Sequence, residues 1–287
     1  MRGQLREILQ QAQKKHFAVP QFNFCTIAQL KGIIEVAKRL KRPFILGTSE
    51  GESRYLGLNL VIGIKRVIER ESGLKVFLNL DHGKSFEYLK KAIDAGYQMV
   101  HFDGSEMEIE KNIVITKKVV AYGKKRGVVV EGELGYIPGS SKIHKRKPKI
   151  TPEIMTQPDQ AKRFVKETGV DALAISIGNV HGIFNKGGFN LDLKRLSMIK
   201  KQIGEGVFLV LHGGSGIPSD QIKEAIKRGI VKINVSTEIR RAWRLGIESS
   251  FRSNPEQLSP YKIMSQAIRR IEKVVEKKMK LFYSISD

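Results

Sequence analysis

A single cysteine, Cys25, occurs in 287 residues, so no intrachain disulfide can form and a reducing compartment is implied. A thiol nucleophile at Cys25 is one reading, and a small packed side chain is the plainer one. No apolar run approaches the length of a membrane span. Met1–Lys15 is polar and reads as an amphipathic helix with Leu5, Ile8, Leu9 and Ala12 on one face, not as a signal peptide. A soluble cytoplasmic protein is expected. Aromatic residues make up 7% and do not interleave with the basic runs, which argues against the stacking platforms of single-strand binders. Acidic residues are scarce, 29 against 51 Lys and Arg, for a formal charge of +22. That balance favours anionic partners, either phosphorylated metabolites or nucleic acid held weakly and salt-sensitively. Because the cations are spread along the whole chain, general lysine decoration of the surface accounts for them equally well.

What is present is an alternation. Apolar runs at Phe17–Phe24, Pro43–Ser49, Lys75–Asp81, Tyr97–Gly104, Val128–Gly135, Ala172–Gly178, Val207–Gly214 and Val231–Thr237 read as parallel strands buried on both faces. Between them lie helical periods. Phe86, Leu89, Ala92 and Ile93 share a face before the stop at Gly96, and Ile222, Ala225 and Ile226 do so before Gly229. Eight strand–helix units predict an α/β fold, a (β/α)8 TIM barrel with extra N- and C-terminal helices, the last over Pro260–Leu281. A doubly wound sheet is the rival, but no GxGxxG follows the first strand. No linker separates a second domain, so one barrel domain over 1–287 is expected. The connection Gly135–Glu153, GYIPGSSKIHKRKPKITPE, is long and basic and follows the fifth strand. It reads as a mobile lid over the catalytic end, or more plainly as a solvated loop.

Barrel strands converge at their C-terminal ends, so chemistry is sought there. Those ends carry Asp81-His82, Asp103-Gly104-Ser105, Glu131 and Glu133, Gly178–Gly182, His212–Gly216 and Asn234–Thr237. Of six histidines, His82, His181 and His212 occupy these ends, whereas His16, His101 and His144 fall outside them. Any one of the three, taken alone, reads as a structural histidine. Three at converging ends read as a metal site, and three imidazoles leave a coordination position open on zinc. Gly213-Gly214-Ser215-Gly216 can turn successive amides toward an anion, and Asn234–Thr237 opens a helix N-terminus. A plain tight turn is the other reading of the glycines. Asp81, beside a metal ligand, reads as a general acid/base, with a merely orienting carboxylate as the alternative.

The blocks LDHGKSFE, AIDAGYQMVHFDGS, EKNIVITKKVV, VEGELG, TGVDALAISIGNVHG, VLHGGSGIP and KINVSTEIR resemble, in order and spacing, the class II metal-dependent ketose-bisphosphate aldolases. The resemblance implies reversible cleavage of fructose 1,6-bisphosphate, or of its relative tagatose bisphosphate, to dihydroxyacetone phosphate and glyceraldehyde 3-phosphate. It implies His82, His181 and His212 as zinc ligands, and Asp81 as the acid/base at the C4 oxygen. Asp103 and Glu133 match carboxylates for a second metal position. Gly182, Gly213, Gly214 and Ser215, with Asn234, Val235, Ser236 and Thr237, match residues that bind the dihydroxyacetone phosphate half. The family also often holds a monovalent cation near that phosphate. Negative charge on the three-carbon fragment is borne by the zinc, without a lysine Schiff base. With the extra terminal helices it also suggests a homodimer or homotetramer. Three departures stand out. Gly135–Thr151 lacks the acidic residue usual there, HGIFNK moves the base after HG to Lys186, and Asp103–Met107 reads DGSEM where DGSHL is typical. Two rivals are a nucleic-acid-binding protein on a retained barrel and a metal-dependent hydrolase on the same fold.

Overall fold

A computed structural model of the chain describes residues 3–146, 148–184 and 190–284. The strands run β1 (Val19–Asn23), β2 (Ile45–Ser49), β3 (Phe77–Gly83), β4 (Met99–Phe102), β5 (Val129–Leu134), β6 (Gly139–His144), β7 (Ala172–Ile175), β8 (His181–Phe184), β9 (Phe208–Leu211) and β10 (Ile230–Val235). The helices are α1 (Gln4–Lys15), α2 (Ile27–Leu40), α3 (Glu50–Leu56), α4 (Leu58–Ser72), α5 (Phe86–Ala95), α6 (Ile109–Lys124), α7 (Pro158–Thr168), α8 (Leu193–Ile203), α9 (Ser219–Lys227), α10 (Thr237–Ser253) and α11 (Pro260–Tyr283). Eight strands close into a parallel barrel in the order β1-β10-β9-β7-β5-β4-β3-β2, as the eight apolar runs predict.

Capping chemistry sets where helices begin. Thr26 with Gln29, and Ser49 with Glu52, form reciprocal capping boxes that start α2 and α3 directly after their strands. Gly96, in the left-handed region, ends α5. Outward-facing Leu46, Leu78, Leu80, Val100, Val130, Leu173 and Leu209 pack beneath the helices.

The inward faces change character along the axis, and this change positions the site. At the N-terminal end Val19, Ile45, Phe77, Met99, Val129, Phe208 and Val210 form an apolar layer, sealed by Leu5, Leu9 and Ala12 of α1. Each buried leucine of that plug contributes roughly 1.5–3 kcal/mol. The next layer is polar and fully buried: Gln21, Asn79, His101, Glu131 and Lys232. The mouth carries Asn23, Asp81, Asp103, Glu133, His212 and Asn234.

The long basic connection, expected as a mobile lid or a solvated loop, contains a strand. Its residues Gly139–His144 form β6, which pairs in parallel with β8 as a two-stranded flap outside the barrel. β6 is mostly exposed, so main-chain pairing holds it and no apolar alternation marks it in the sequence.

Candidate metal centre and active-site cleft

β3 delivers the first residues. Its register against β4 shifts between Leu80 and Gly83, a bulge that re-aims the strand end. Asp81 is buried, and His82 adopts φ 51°, a left-handed conformation uncommon for a non-glycine residue. The His82 amide donates to His101 Nδ1 at 3.1 Å. His212, at the end of β9, faces His82 with Nδ1 3.1 Å from its Nε2.

Protons decide whether this arrangement suits a cation. His212 Nε2 donates to Glu131 Oε1 at 2.7 Å, and His82 Nδ1 donates to Asp103 Oδ2 at 2.9 Å. Each carboxylate holds the outer N–H of its ring, so His82 Nε2 and His212 Nδ1, which face each other, are the nitrogens open to a partner on the cleft side. With His82 protonated, its Nε2–H donates to His212 Nδ1, and a divalent cation would take the place of that proton. Two nitrogens at about 2.0–2.1 Å from one tetrahedral ion stand roughly 3.3–3.4 Å apart, close to the observed separation. Carboxylate-backed histidines are also what orients metal-binding rings. Burial keeps the His212 pKa below its ordinary value. Burial, with His82 and His212 nearby, lowers that of His181 to about 3, so both rings are neutral. Burial opposes protonation of His82, but Asp81 and Asp103 outweigh it and raise its affinity for positive charge.

The structure brings Asp81, His82, His101 and His212 together, with one ligand atom of each within 4.8 Å of the others. His101, set aside in the sequence as lying off the strand ends, is thus inside the cluster. It points inward from β4 one layer below Asp103, beside Glu131 in register. His101/Asp103 and Glu131/Glu133 are matched polar pairs two residues apart on adjacent strands, and that alternation is the signal that marks His101. His181 lies on β8 of the flap. Its ring centroid is 5.1 Å from that of His82 and 6.1 Å from that of His212, so it adjoins the cluster without entering it. His82, Asp103 and Glu133 form a second group, on the other nitrogen of His82. Lys84 Nζ also donates to Asp103 Oδ2, at 2.7 Å.

Asp81 is held at both oxygens. Asn23 Nδ2 donates to Oδ2 at 2.9 Å and Asn234 Nδ2 to Oδ1 at 3.0 Å. Burial opposes its charge, yet His82, His101 and His212 outweigh burial and hold the carboxyl well below the usual range. It stands ionised.

The expected anion residues divide. Ser236 Oγ is buried with no partner and lines the cleft, as do Gly213, Ser215 and Thr237 at the start of α10. Ser215 Oγ accepts from the Glu238 amide at 3.3 Å, and the Gly216 amide donates to the Glu238 carboxylate at 2.9 Å. Gly214 packs on Ile233, where a Cβ would meet Ile233 Cγ2 at 2.6 Å. Val235 packs in the outer core, which leaves only its main chain near the cleft. Gly213 at φ 63° lets the loop approach Val180, whose carbonyl oxygen would lie 2.1 Å from a Cβ there. Gly182 at φ 101° seats the flap, since a Cβ would strike the His144 ring at 2.6 Å. Lys186 lies outside the described residues. Cys25 is half-buried with its Sγ on Gln29 Oε1, and burial and Glu52 raise its pKa, so the thiol stays protonated.

Sequence reading passed over Arg240, on the outer turn of α10, and Lys232, inside the barrel, because neither sits at a strand end. Lys232 Nζ donates to Glu131 Oε2 at 2.8 Å and to Asn234 Oδ1 at 2.7 Å.

A parallel barrel whose mouth gathers imidazoles and paired carboxylates is a scaffold suited to metal-dependent chemistry. The family model for class II fructose-bisphosphate aldolases matches residues 3–287, and the chain belongs to that family. It is therefore a lyase of a metal-dependent family that acts on phosphorylated sugars. It is 38% identical over 283 residues to a 6-phospho-5-dehydro-2-deoxy-D-gluconate aldolase of Bacillus licheniformis, covering 98% of this chain and 94% of that one. It is also 38% identical over 290 residues to a fructose-bisphosphate aldolase of Geobacillus stearothermophilus, covering 98% and 96%. Among solved structures, the YdjI aldolase of Escherichia coli superimposes with a TM-score of 0.81 at 29% identity, covering 97% of this chain and 96% of that one. Among the described residues no helix is long and apolar enough to cross a membrane.

Proposed function

We propose that the protein reversibly cleaves a ketose bisphosphate between C3 and C4, with fructose 1,6-bisphosphate as substrate and Zn2+ as the cation held by His82, His181 and His212. The observation that carries this reading is the facing pair His82 Nε2 and His212 Nδ1, 3.1 Å apart, beside the ionised Asp81. A divalent cation bound there supplies Lewis-acid polarisation of the ketone and balances the charge left on the three-carbon phosphate fragment. Asp81 takes the proton from the C4 hydroxyl as the C3–C4 bond breaks and returns it in condensation. Asn23 and Asn234 fix that carboxylate through one bond to each oxygen, so its free lone pairs face the cleft. The unpartnered Ser236 hydroxyl and the amides opening the 17-residue α10 bind the phosphate of the dihydroxyacetone half. Asp103 and Glu133 offer a second cation position on the outer side of His82.

A second reading concerns the substrate alone. Several relatives are named for 6-phospho-5-dehydro-2-deoxy-D-gluconate. That compound, like fructose 1,6-bisphosphate, carries a phosphate next to its ketone, and it has a carboxylate at the far end. Tagatose bisphosphate differs from the fructose compound at C4 only. The test is incubation of the purified protein with each of the three, with and without a chelator, while triose phosphate is measured. Chelator-sensitive release, fastest from fructose 1,6-bisphosphate, is expected. Faster release from another of the three reassigns the substrate, and no release from any of them refutes the reading.

A further inference from the structure

We infer that the base of the barrel, opposite the mouth, binds the phosphate backbone of single-stranded nucleic acid in two basic recesses on either side of α1. The base and the mouth lie at opposite ends of the strands, so this binding is independent of the aldolase reading.

Topology gathers the charge. In a parallel barrel every strand starts at the base, so the helices that lead into the strands end there. Among them α1, α2, α8 and α9 each close on lysine or arginine in the last turn. A cation at a helix C-terminus complements the dipole, but that effect fades within the last turn. Arg42, Lys75 and Arg228 lie past the helices, in the connections to the next strands. The strands that follow these segments, β9, β10, β1, β2 and β3, are neighbours around the barrel. Cations spread along the chain are thus brought to one side of one face.

That face is not flat. One recess, about 420 Å³, is walled by α1 and the connections into β2 and β3. Lys38, Lys41, Arg42 and Lys75 line it over Phe44 and Phe77, with no acidic residue among the described residues that line it. The other, about 480 Å³, is walled by α1 and the connections into β9 and β10. Lys200, Lys201, Lys227 and Arg228 line it against one carboxylate, Glu205, which Lys200 and Gln13 already engage. Concave walls of one charge focus the potential. Ile8 belongs to the first recess and Gln13 and His16 to the second, so α1 is the ridge between them. A helix is roughly 10–12 Å across. A small phosphate ester fills one recess, whereas a strand of nucleotides carries phosphates into both. A stiff duplex cannot dip on either side of a ridge. An anionic membrane, the other class of polyanion, presents a flat sheet of charge and meets only the ridge. Among the described residues no phenylalanine, tyrosine or tryptophan is exposed in either recess for stacking, so the backbone alone is held and sequence is not read.

The test is fluorescence anisotropy of a labelled oligouridylate of about 20 nucleotides with the whole chain, across a range of salt. Binding is expected with Kd of roughly 1–100 µM at about 0.15 M salt, weakening linearly in log Kd against log salt. Lys41→Gln with Lys75→Gln, and separately Lys201→Gln with Lys227→Gln, change exposed side chains, so both proteins should melt like wild type. Each pair should weaken binding by roughly 10- to 30-fold at about 0.1 M salt and lower the salt slope by about 1.4, the loss of two phosphate contacts. Lys117→Gln with Lys118→Gln, exposed in the middle of α6, removes the same charge elsewhere and should change affinity by less than about two-fold. Fructose 1,6-bisphosphate at constant ionic strength should leave the oligonucleotide bound. No binding at low salt, or equal losses in all three paired variants, would overturn the inference, the second by assigning the affinity to general surface charge. Displacement by fructose 1,6-bisphosphate would place the oligonucleotide at the mouth instead. Vesicles of phosphatidylserine and phosphatidylcholine that hold the protein more tightly than the oligonucleotide does would assign the face to a lipid surface. The aldolase reading survives each of these outcomes.

Discussion

Lys232 and Glu131 form an ion pair in the centre of the barrel, Nζ to Oε2 at 2.8 Å, with neither side chain reached by solvent. The pair braces two arms of the site at once. Through Glu131 it fixes the proton on His212, and through Asn234 it turns an amide toward Asp81. Removing one partner of a buried pair strands the other charge. Lys232→Met should therefore cost about 3–5 kcal/mol in chemical denaturation, and the double change with Glu131→Gln should recover part of it. A single variant as stable as wild type would show that the pair braces nothing.

The acid/base role of Asp81 separates from metal binding. Asp81→Asn keeps the size and one acceptor oxygen of the side chain but cannot take a proton. Turnover should fall by roughly 10²- to 10⁴-fold, the range for loss of a positioned general base. Metal content measured on the purified variant should match wild type. A variant that turns over at the wild-type rate would show that some other group moves the proton.

Much of the fold was legible because buried parallel strands announce themselves as apolar runs and the helices between them keep their period. All eight runs became barrel strands. The site was legible where chemistry sits at a strand end, as with Asp81, His82 and His212. His101 and Lys232 were harder to see because they lie a layer deeper, inside strands whose outward residues dominate the apolar reading. β6 escaped notice because an exposed strand held by main-chain bonds needs no hydrophobic alternation. Arg240 was hidden because its place at the cleft comes with a contact to Glu52, 188 residues away in sequence.

The carboxylate behind His212 gives a graded test of the metal centre. His212→Ala removes a ligand atom and should abolish stoichiometric metal. Glu131→Gln retains the imidazole and loses only the anion that fixes its tautomer. Metal affinity should then drop by about 10- to 100-fold, as for other changes behind a ligand. Competition with a chromogenic chelator measures both. Equal affinity for wild type and Glu131→Gln would show that the tautomer of His212 is set elsewhere.

The flap carries His181, so its seating and metal binding should be linked. Gly182 is the close contact: at φ 101° a Cβ would lie 2.6 Å from both the Ser140 carbonyl oxygen and the His144 ring. Gly182→Ala must therefore push β6 away from β8. Because β6 is largely exposed, little core is lost, and the change in global stability should stay below about 1 kcal/mol. Local effects should be larger. Lys142, Lys145 and Arg146 lie in or just after β6, and trypsin should cut there faster in the variant. If His181 is a ligand, metal should slow that cleavage in wild type and do so less in Gly182→Ala. Cleavage that ignores metal in both proteins would show that His181 and the flap it rides on do not take part in holding the cation.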